Sequence, residues 1–448
     1  MNNLNGNEIE CVIYGLLRNP STGSLLTVKQ SVNEGWSIPT LFAKKREELT
    51  PSLVTREMSQ LLGRPVLAYR YLRIQNNNHS GRKEAFFELI SLQSSMDDLK
   101  PNEKWSGVEQ LSGMQSDQYG IINEYSLEAE SEYVPKYRQP WEHSGWYSKA
   151  TSWIEDSLQR LGFQLTEPPE QVKWWSLSCV LRLITTHGIV YFKTNAKQPL
   201  FTQEAAFLTY LAGILPDSVP NILASEPDEG WMLLADAGEK LSSDATVELR
   251  IKLLRTFGKI QLEMVSRTAE LIQLGCANRK PEKLLPLVDL LLDDELVVSK
   301  LTSEEIGDLR RQLPAISEMC KRISTYDVPS TLVHGDLHMG NVASSNGRII
   351  FFDWTDACVA HPFMDMILIY QEKDPSIRTR LRDAYLELWT GFESTKRLQE
   401  LWSLCEVVHA IYHTVSYQSI LRHTEVRSRG ELGRVPSFYL RSVLRYLK

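Results

Sequence analysis

The sequence has no run approaching the ~18 consecutive apolar residues that a membrane-spanning helix needs, which sets a spanning protein aside. Its start, MNNLNGNEIE, carries neither the basic residues nor the apolar stretch of a signal peptide. Basic charge is not in excess: 49 Lys and Arg stand against 56 Asp and Glu, for a net charge of −7. That balance excludes a broad nucleic-acid footprint and a polybasic membrane anchor. Cysteine is scarce and scattered. The six residues Cys11, Cys179, Cys276, Cys320, Cys358 and Cys405 form no CxxC and no paired spacing, a pattern that suits free thiols in a reducing compartment rather than a disulfide framework. Internal repeats and low-complexity tracts are also missing. What is present is an ordinary globular composition, 42% hydrophobic and 23% charged, in 448 residues. At ~150 residues per unit, that length accommodates about three compact units. The expectation is a cytoplasmic, multi-domain protein with no nucleic-acid and no membrane partner.

Residues 8–16 and 24–28 read as short strands around the turn Asn19-Pro20-Ser21-Thr22-Gly23. The spacing predicts a helix over 50–62, with Thr50 as cap, Pro51 at its first position and Leu53, Val54, Met58, Leu61 and Leu62 as one stripe. Gly63 ends it. Strands at 66–75 and 84–92 complete a small α+β domain over 1–125. Residues 126–142 are polar and carry two prolines, which reads as a connector, and helical spacing returns over 146–162 to fill out 126–165. The stretch 172–196 reads as a β-hairpin, followed by a helix over 202–214. From about residue 241 helical patterns dominate, interrupted by one β segment at 342–353. A β-rich lobe over 166–240 thus precedes a mostly helical lobe over 241–448.

The most informative stretch is TLVHGDLHMGNVASSNGRIIFFDWTDACVAHPFMDM, residues 331–366. In it His334-Gly335-Asp336 is followed five residues after the aspartate by Asn341, and twelve residues after that by Asp353. Ser345-Asn346-Gly347 is a tight hairpin turn, since Asn-Gly readily takes the positive φ values such turns require. The hairpin folds strand 348–352 back beside 342–344, so that Asp353 faces the loop carrying Asp336 and Asn341. Oxygen ligands of this kind suit Mg²⁺, with Asn341 and Asp353 as the metal-holding pair. Asp336 then orients an acceptor hydroxyl and takes its proton as a phosphoryl group is transferred. A lone HxD carries no such meaning; the joined spacings and the apolar strand running into Asp-Trp do.

HGDLHMGN followed by FFDWTDA resembles the aminoglycoside phosphotransferase and choline kinase family, which has the two-lobed protein-kinase-like fold. The resemblance implies an α+β chain with a β-rich N-lobe and a mostly helical C-lobe, acting as an ATP- or GTP-dependent, Mg²⁺-dependent phosphotransferase on a small hydroxyl-bearing substrate. Residue by residue, it implies Asp336 as catalytic base, His334 as the buttress of the catalytic loop, Asn341 and Asp353 as magnesium ligands, and Asp365 as the later aspartate that supports the loop. Lys193, in the strand-like IVYFKTN, and Glu204, opening the next helix, match the phosphate-binding lysine and its glutamate. Residues 231–238, with Leu233 and Leu234, resemble the inter-lobe connector whose backbone binds adenine. One part departs from the family: the hairpin tip Trp175-Ser176-Leu177-Ser178-Cys179 has no glycine, leaving Ser176 and Ser178 with the backbone to meet phosphate.

A second resemblance, to the Nudix box, lies over 36–63, through Trp36, Pro39, Arg56-Glu57 and Gly63. The glutamates expected after Arg-Glu are Gln60 and Leu61, which cannot supply the negative charge of a divalent site. This implies a Nudix-like domain over 1–125 without hydrolase activity. Two other classes stand beside the phosphotransferase: a nucleotide-binding pseudokinase acting as a regulatory module, and a pyrophosphohydrolase acting through residues 1–125. Cys405, His409 and His413 recur every four residues on one apolar helix, which makes them core or pocket-lining rather than a metal stripe. In the resembled family such helices line the acceptor pocket, which brings His409, His413 and Tyr417 toward substrate. Asp356 and Asp365 would tolerate a cationic acceptor; antibiotic, amino alcohol and sugar all stay open. Lys44-Lys45-Arg46 before Glu47-Glu48 reads as a solvated turn. Trp141, Trp146 and Trp153 read as pinning the connecting helix to a lobe.

Overall fold

A computed structural model describes residues 11–29, 35–43, 50–77, 82–93, 98–111, 114–131, 133–242 and 244–447. The turn read at Lys44–Glu48 lies outside them. The chain divides into two compact units, one of residues 1–186 with 425–428, the other of 187–424 with 429–448. The division at 186/187 falls inside the stretch 166–240 that the sequence reads as one lobe. Both units mix helices and sheets, so the chain is α+β as expected.

In the first unit the strands are β1 (Cys11–Leu17), β2 (Leu25–Val28), β3 (Thr40–Ala43), β4 (Val66–Asn76), β5 (Lys83–Ser91) and β6 (Glu103–Ser106). Four of them form a sheet in the order β3-β1-β5-β4, in which β1 runs parallel to β5, and β2 pairs with β6 separately. Helix α1 (Pro51–Leu62) begins and ends where the sequence predicts: Thr50 Oγ1 accepts from Leu53 N at 3.2 Å, and Gly63 closes the helix at φ 58°. Its stripe of Val54, Met58 and Leu62 packs with Cys11, Ile13 and Phe87. Helix α2 (Ser116–Glu130) occupies the first part of the expected connector. Residues SLEAE carry no helix breaker, Ile121, Ile122 and Tyr125 bury one face with Leu16 and Phe86, and Glu128 is held by Arg70 at 2.5 Å and Arg138 at 2.6 Å. Those contacts override the polar composition. Helix α3 (Trp146–Arg160) follows, and Trp146 packs edge-on to both Trp141 and Trp174. The stretch read as one hairpin opens with a tight antiparallel pair, β7 (Glu170–Trp174) and β8 (Ser178–Thr185).

The second unit opens with β9 (Gly188–Asn195), then α4 (Glu204–Ile214), β10 (Ile222–Glu226) and β11 (Trp231–Ala235), with β11 between β9 and β10. Next come β12 (Glu239–Lys240), α5 (Val247–Met264), α6 (Thr268–Gln273), β13 (Ala277–Asn278), α7 (Pro281–Leu291), α8 (Glu295–Val298) and α9 (Ser303–Ile323). The chemistry-bearing stretch supplies β14 (Thr331–Val333), β15 (Val342–Ser345), β16 (Arg348–Phe351) and β17 (Cys358–Ala360). Helices α10 (Ile367–Tyr370), α11 (Pro375–Leu386), α12 (Thr395–Arg422) and α13 (Val435–Tyr446) complete it. The β15–β16 hairpin turns through Asn346 at φ 51° and Gly347 at φ 77°, two successive left-handed residues, and sets Val342 opposite Phe351. β14 pairs with β17, placing Val333 opposite Cys358. Phe257, Phe351, Trp354 and Phe363 form part of one buried core beneath these strands. No helix among the described residues is long and apolar enough to cross a membrane.

Candidate active site

Two short β pairs deliver the loop residues. β14 ends at Val333, so His334-Gly335-Asp336 leaves the sheet there, while Phe352 N donates to Asn341 O at 3.1 Å and seats Asn341 one residue from Asp353. His334 is fully buried. Its Nδ1 accepts from Asp336 N at 3.4 Å, which leaves Nε2 to donate to Phe352 O at 3.0 Å. Burial holds its pKa below the usual value, against the pull of Asp336. A neutral ring with Nε2 protonated is the consistent state, and such a ring braces the loop without touching a ligand.

Asp365 is also fully buried and accepts from Gly335 N at 2.9 Å and Leu337 N at 3.1 Å. Burial pushes its carboxyl up to about 7, against those two donors. It is an anchor for the backbone on either side of Asp336, so a substrate-facing role for Asp365 is set aside. Asp356 is half-buried, and burial together with Asp336 and Asp353 drives its pKa well above the carboxylate range. Gly335, at φ 88°, lies so close to it that a Cβ would stand 2.2 Å from Asp356 O. Gly335→Ala is therefore expected to destabilise the fold by about 2–4 kcal/mol, through left-handed strain and backbone collision, read as a lowered urea midpoint at unchanged slope.

Lys193 and Glu204 come together with Asp353. Lys193 Nζ lies 2.6 Å from Glu204 Oε2 and 2.6 Å from Asp353 Oδ1. Lys193 points from β9 opposite Met232, and Glu204 opens α4, where the helix dipole favours a carboxylate. Burial works against the lysine's charge, but Asp353 and Glu204 outweigh it and raise its pKa to about 12. Glu204 also accepts from Trp354 N at 2.8 Å and Asn195 Nδ2 at 2.6 Å. Asp353 itself is left-handed, at φ 65° and ψ 57°. That conformation is uncommon for a residue with a side chain and is held here by the surrounding bonds.

Thr355 is a member that sequence reasoning missed. Its hydroxyl meets Glu204 Oε2 at 3.1 Å, Asp353 Oδ1 at 3.0 Å and Lys193 Nζ at 3.4 Å. Nothing in the local pattern distinguishes this threonine from a turn residue. Asn341 Nδ2 turns to Asp336, 3.0 Å from its carbonyl and 3.3 Å from Oδ2, which leaves the amide oxygen as the atom it can offer a cation. With the Asp353 carboxylate, the donor set is two hard oxygen groups. It suits Mg²⁺, which takes the rest of its shell from phosphate and water.

Other expected residues lie elsewhere. Leu233 and Leu234 are buried in the middle strand β11, paired to β9 on one side and β10 on the other. Their backbone groups serve the sheet, and the chain leaves the ladder only after Ala235. Ser176 and Ser178 are both buried, and Ser178 Oγ accepts from the Trp175 indole at 2.8 Å. His409 and His413 are core residues. His409 Nδ1 bonds Met364 O at 2.8 Å, and His413 stacks on Tyr439 at 4.9 Å. Burial lowers the His409 pKa to about 4. Among the described residues, no three His, Cys, Asp or Glu side chains are grouped to hold a metal ion.

The sequence model described as a phosphotransferase enzyme family matches residues 177–400. No curated protein matches the chain. Among solved structures, APH(2")-IIia in complex with GDP and kanamycin is similar at 13% identity and a TM-score of 0.49, over 67% of this chain and 98% of its own. A choline kinase from Streptococcus pneumoniae shares 13% identity at a TM-score of 0.47, over 67% and 99%. A spectinomycin phosphotransferase in complex with ADP and spectinomycin shares 12% at 0.44, over 66% and 98%. With the His334–Asp353 stretch inside the half of the chain that the family model matches, the protein belongs to the phosphotransferase enzyme family.

Proposed function

We propose that the protein transfers the γ-phosphoryl group of ATP or GTP to a hydroxyl of a small molecule. The observation that carries this reading is the buried pair of Lys193 and Glu204 with the partly exposed Asp353 on the same lysine, and the loop of Asp336 and Asn341. Asp336 takes the proton of the acceptor hydroxyl. The acceptor oxygen bonds to the γ-phosphorus as the β–γ bridging bond breaks, and the nucleoside diphosphate leaves with that electron pair. Lys193, kept charged and aimed by Glu204, binds the donor's phosphates. Asn341 and Asp353 would hold Mg²⁺, which when bound offsets charge on the phosphoryl oxygens. Adenine or guanine recognition falls to the backbone after Ala235, where Asp236 already accepts from Gly238 N at 3.1 Å.

Residues 1–125 act, on this reading, as a Nudix-like domain without hydrolase activity. Gln60 and Leu61 are exposed on α1, and Glu57 is paired with Arg56 at 3.0 Å. A second reading, nucleotide binding without turnover, is motivated by the hairpin tip 175–179, which has no glycine to approach a phosphate.

Two measurements separate these. Thermal unfolding with magnesium-ATP or magnesium-GTP at 100 times the dissociation constant should show about 2.7 kcal/mol of stabilisation. Asp353→Ala should abolish the magnesium-dependent part of that shift. Release of ADP or GDP with kanamycin, spectinomycin or choline as acceptor then tests turnover. A shift without acceptor-dependent release favours the binding module, and no shift at millimolar nucleotide sinks both readings.

A further inference from the structure

Asp336 has a neighbour that neither the motif reading nor the family match assigns a role. His338 Nε2 lies 3.4 Å from Asp336 Oδ2, with the two side chains 46% and 36% exposed. The ring's other nitrogen is fixed: Nδ1 accepts from Gly340 N at 3.0 Å. An accepting Nδ1 puts the proton of a neutral ring on Nε2, so the ring presents a donor to Oδ2. Asn341 Nδ2 approaches the same oxygen at 3.3 Å. With Asn341 donating to Oδ2 and His338 Nε2 lying near the same oxygen, Oδ1 is the oxygen left to receive a proton from an acceptor. Gly340 has its own part in this arrangement, because a Cβ there would stand 2.8 Å from His338 Cε1 and 3.0 Å from Nδ1. His338, Met339 and Gly340 also line a cleft of about 560 Å³.

We propose that His338 is a positioning residue for Asp336: held through Nδ1 by Gly340, it donates through Nε2 to Oδ2 and so selects Oδ1 as the base. The inference rests on the phosphotransferase reading. The separation of 3.4 Å is long for such a bond, and catalytic hydrogen bonds of free enzymes commonly shorten when substrate binds.

The test uses the full chain and nucleoside diphosphate release from magnesium-ATP and magnesium-GTP, with water as the acceptor. His338→Ala should lower kcat about tenfold at unchanged nucleotide KM, the loss of one hydrogen bond to a charged group. His338→Gln, whose amide nitrogen reaches the place of Nε2, should recover most of it, and the shorter His338→Asn should not. Gly340→Ala should lower kcat as His338→Ala does, and the double variant should lose no more than either alone. Asp336→Ala fixes which idea fails. If its turnover is lost but His338→Ala keeps full kcat, or His338→Gln rescues nothing, the positioning role is overturned and the phosphotransferase reading stands. If release does not depend on Asp336 at all, the reading itself falls and takes this role with it.

Discussion

Asp336→Ala is expected to lower phosphoryl transfer by about 10²–10⁴-fold, the range that a positioned general base contributes. Nucleotide affinity and the magnesium-dependent thermal shift should stay as in the wild type, because Asp336 is not among the groups that hold the donor. The fold should also survive. Asp336 is about one-third exposed and, among the described residues, its side chain has Asn341 and His338 as polar partners, while the loop backbone is anchored by Asp365 and His334. Asp336→Asn sharpens the test. It keeps the shape and the carbonyl-type acceptor for Asn341, yet cannot take a proton, so it should be nearly as slow as the alanine variant. Should Asp336→Asn turn over at the wild-type rate, proton acceptance at this residue would be excluded, whatever the nucleotide affinity.

The residues of this site were readable to different extents, for reasons that lie in how each is held. The loop and strand from His334 to Asp353 were legible because the chemistry sits in one contiguous stretch. Its Asn346-Gly347 turn announces its own register, and the two left-handed φ values agree with it. Lys193 and Glu204 were legible only once that stretch supplied a reason to seek a buried cation. Thr355 and His338 were not, since a threonine two residues past an aspartate and a histidine two residues past another mark no pattern until the backbone brings them together. Leu233 and Leu234 show a different failure. Residues 231–238 were read as the inter-lobe connector, but where the strand ends and the connector begins depends on pairing with β9 and β10, which no local signal encodes. The polar residues after Ser126 failed for a similar reason. Their helix is stabilised by Arg70 and Arg138, the former more than 50 positions back along the chain. The periodicity of α12 could say that Cys405, His409 and His413 share a face, but not whether that face meets a substrate or the core.

Lys193→Met should produce the second large effect, on stability as well as activity. The lysine is buried with Glu204 and has Asp353 as its second carboxylate, and removing one partner of a buried pair destabilises by about 3–5 kcal/mol because the remaining charge is left without its counterion. At about 2–4 °C per kcal/mol for a unit of this size, the unfolding midpoint should fall by about 10 °C. Glu204 retains its bonds from Trp354 N and Asn195 Nδ2, so its carboxylate stays fixed in place and the penalty cannot be relieved by swinging it into water. The double variant Lys193→Met, Glu204→Gln removes both charges, keeps the amide able to accept from Trp354 N, and should regain much of the lost midpoint. On the phosphotransferase reading activity should not return with it, because Lys193, proposed to bind the donor's phosphates, is still missing. Midpoint recovery without recovered turnover is the signature of a buried pair whose cost in desolvation is tolerated for the ligand it binds. Additive losses in the double variant would instead mean that Lys193 and Glu204 are held independently, and that Glu204 does not aim the lysine.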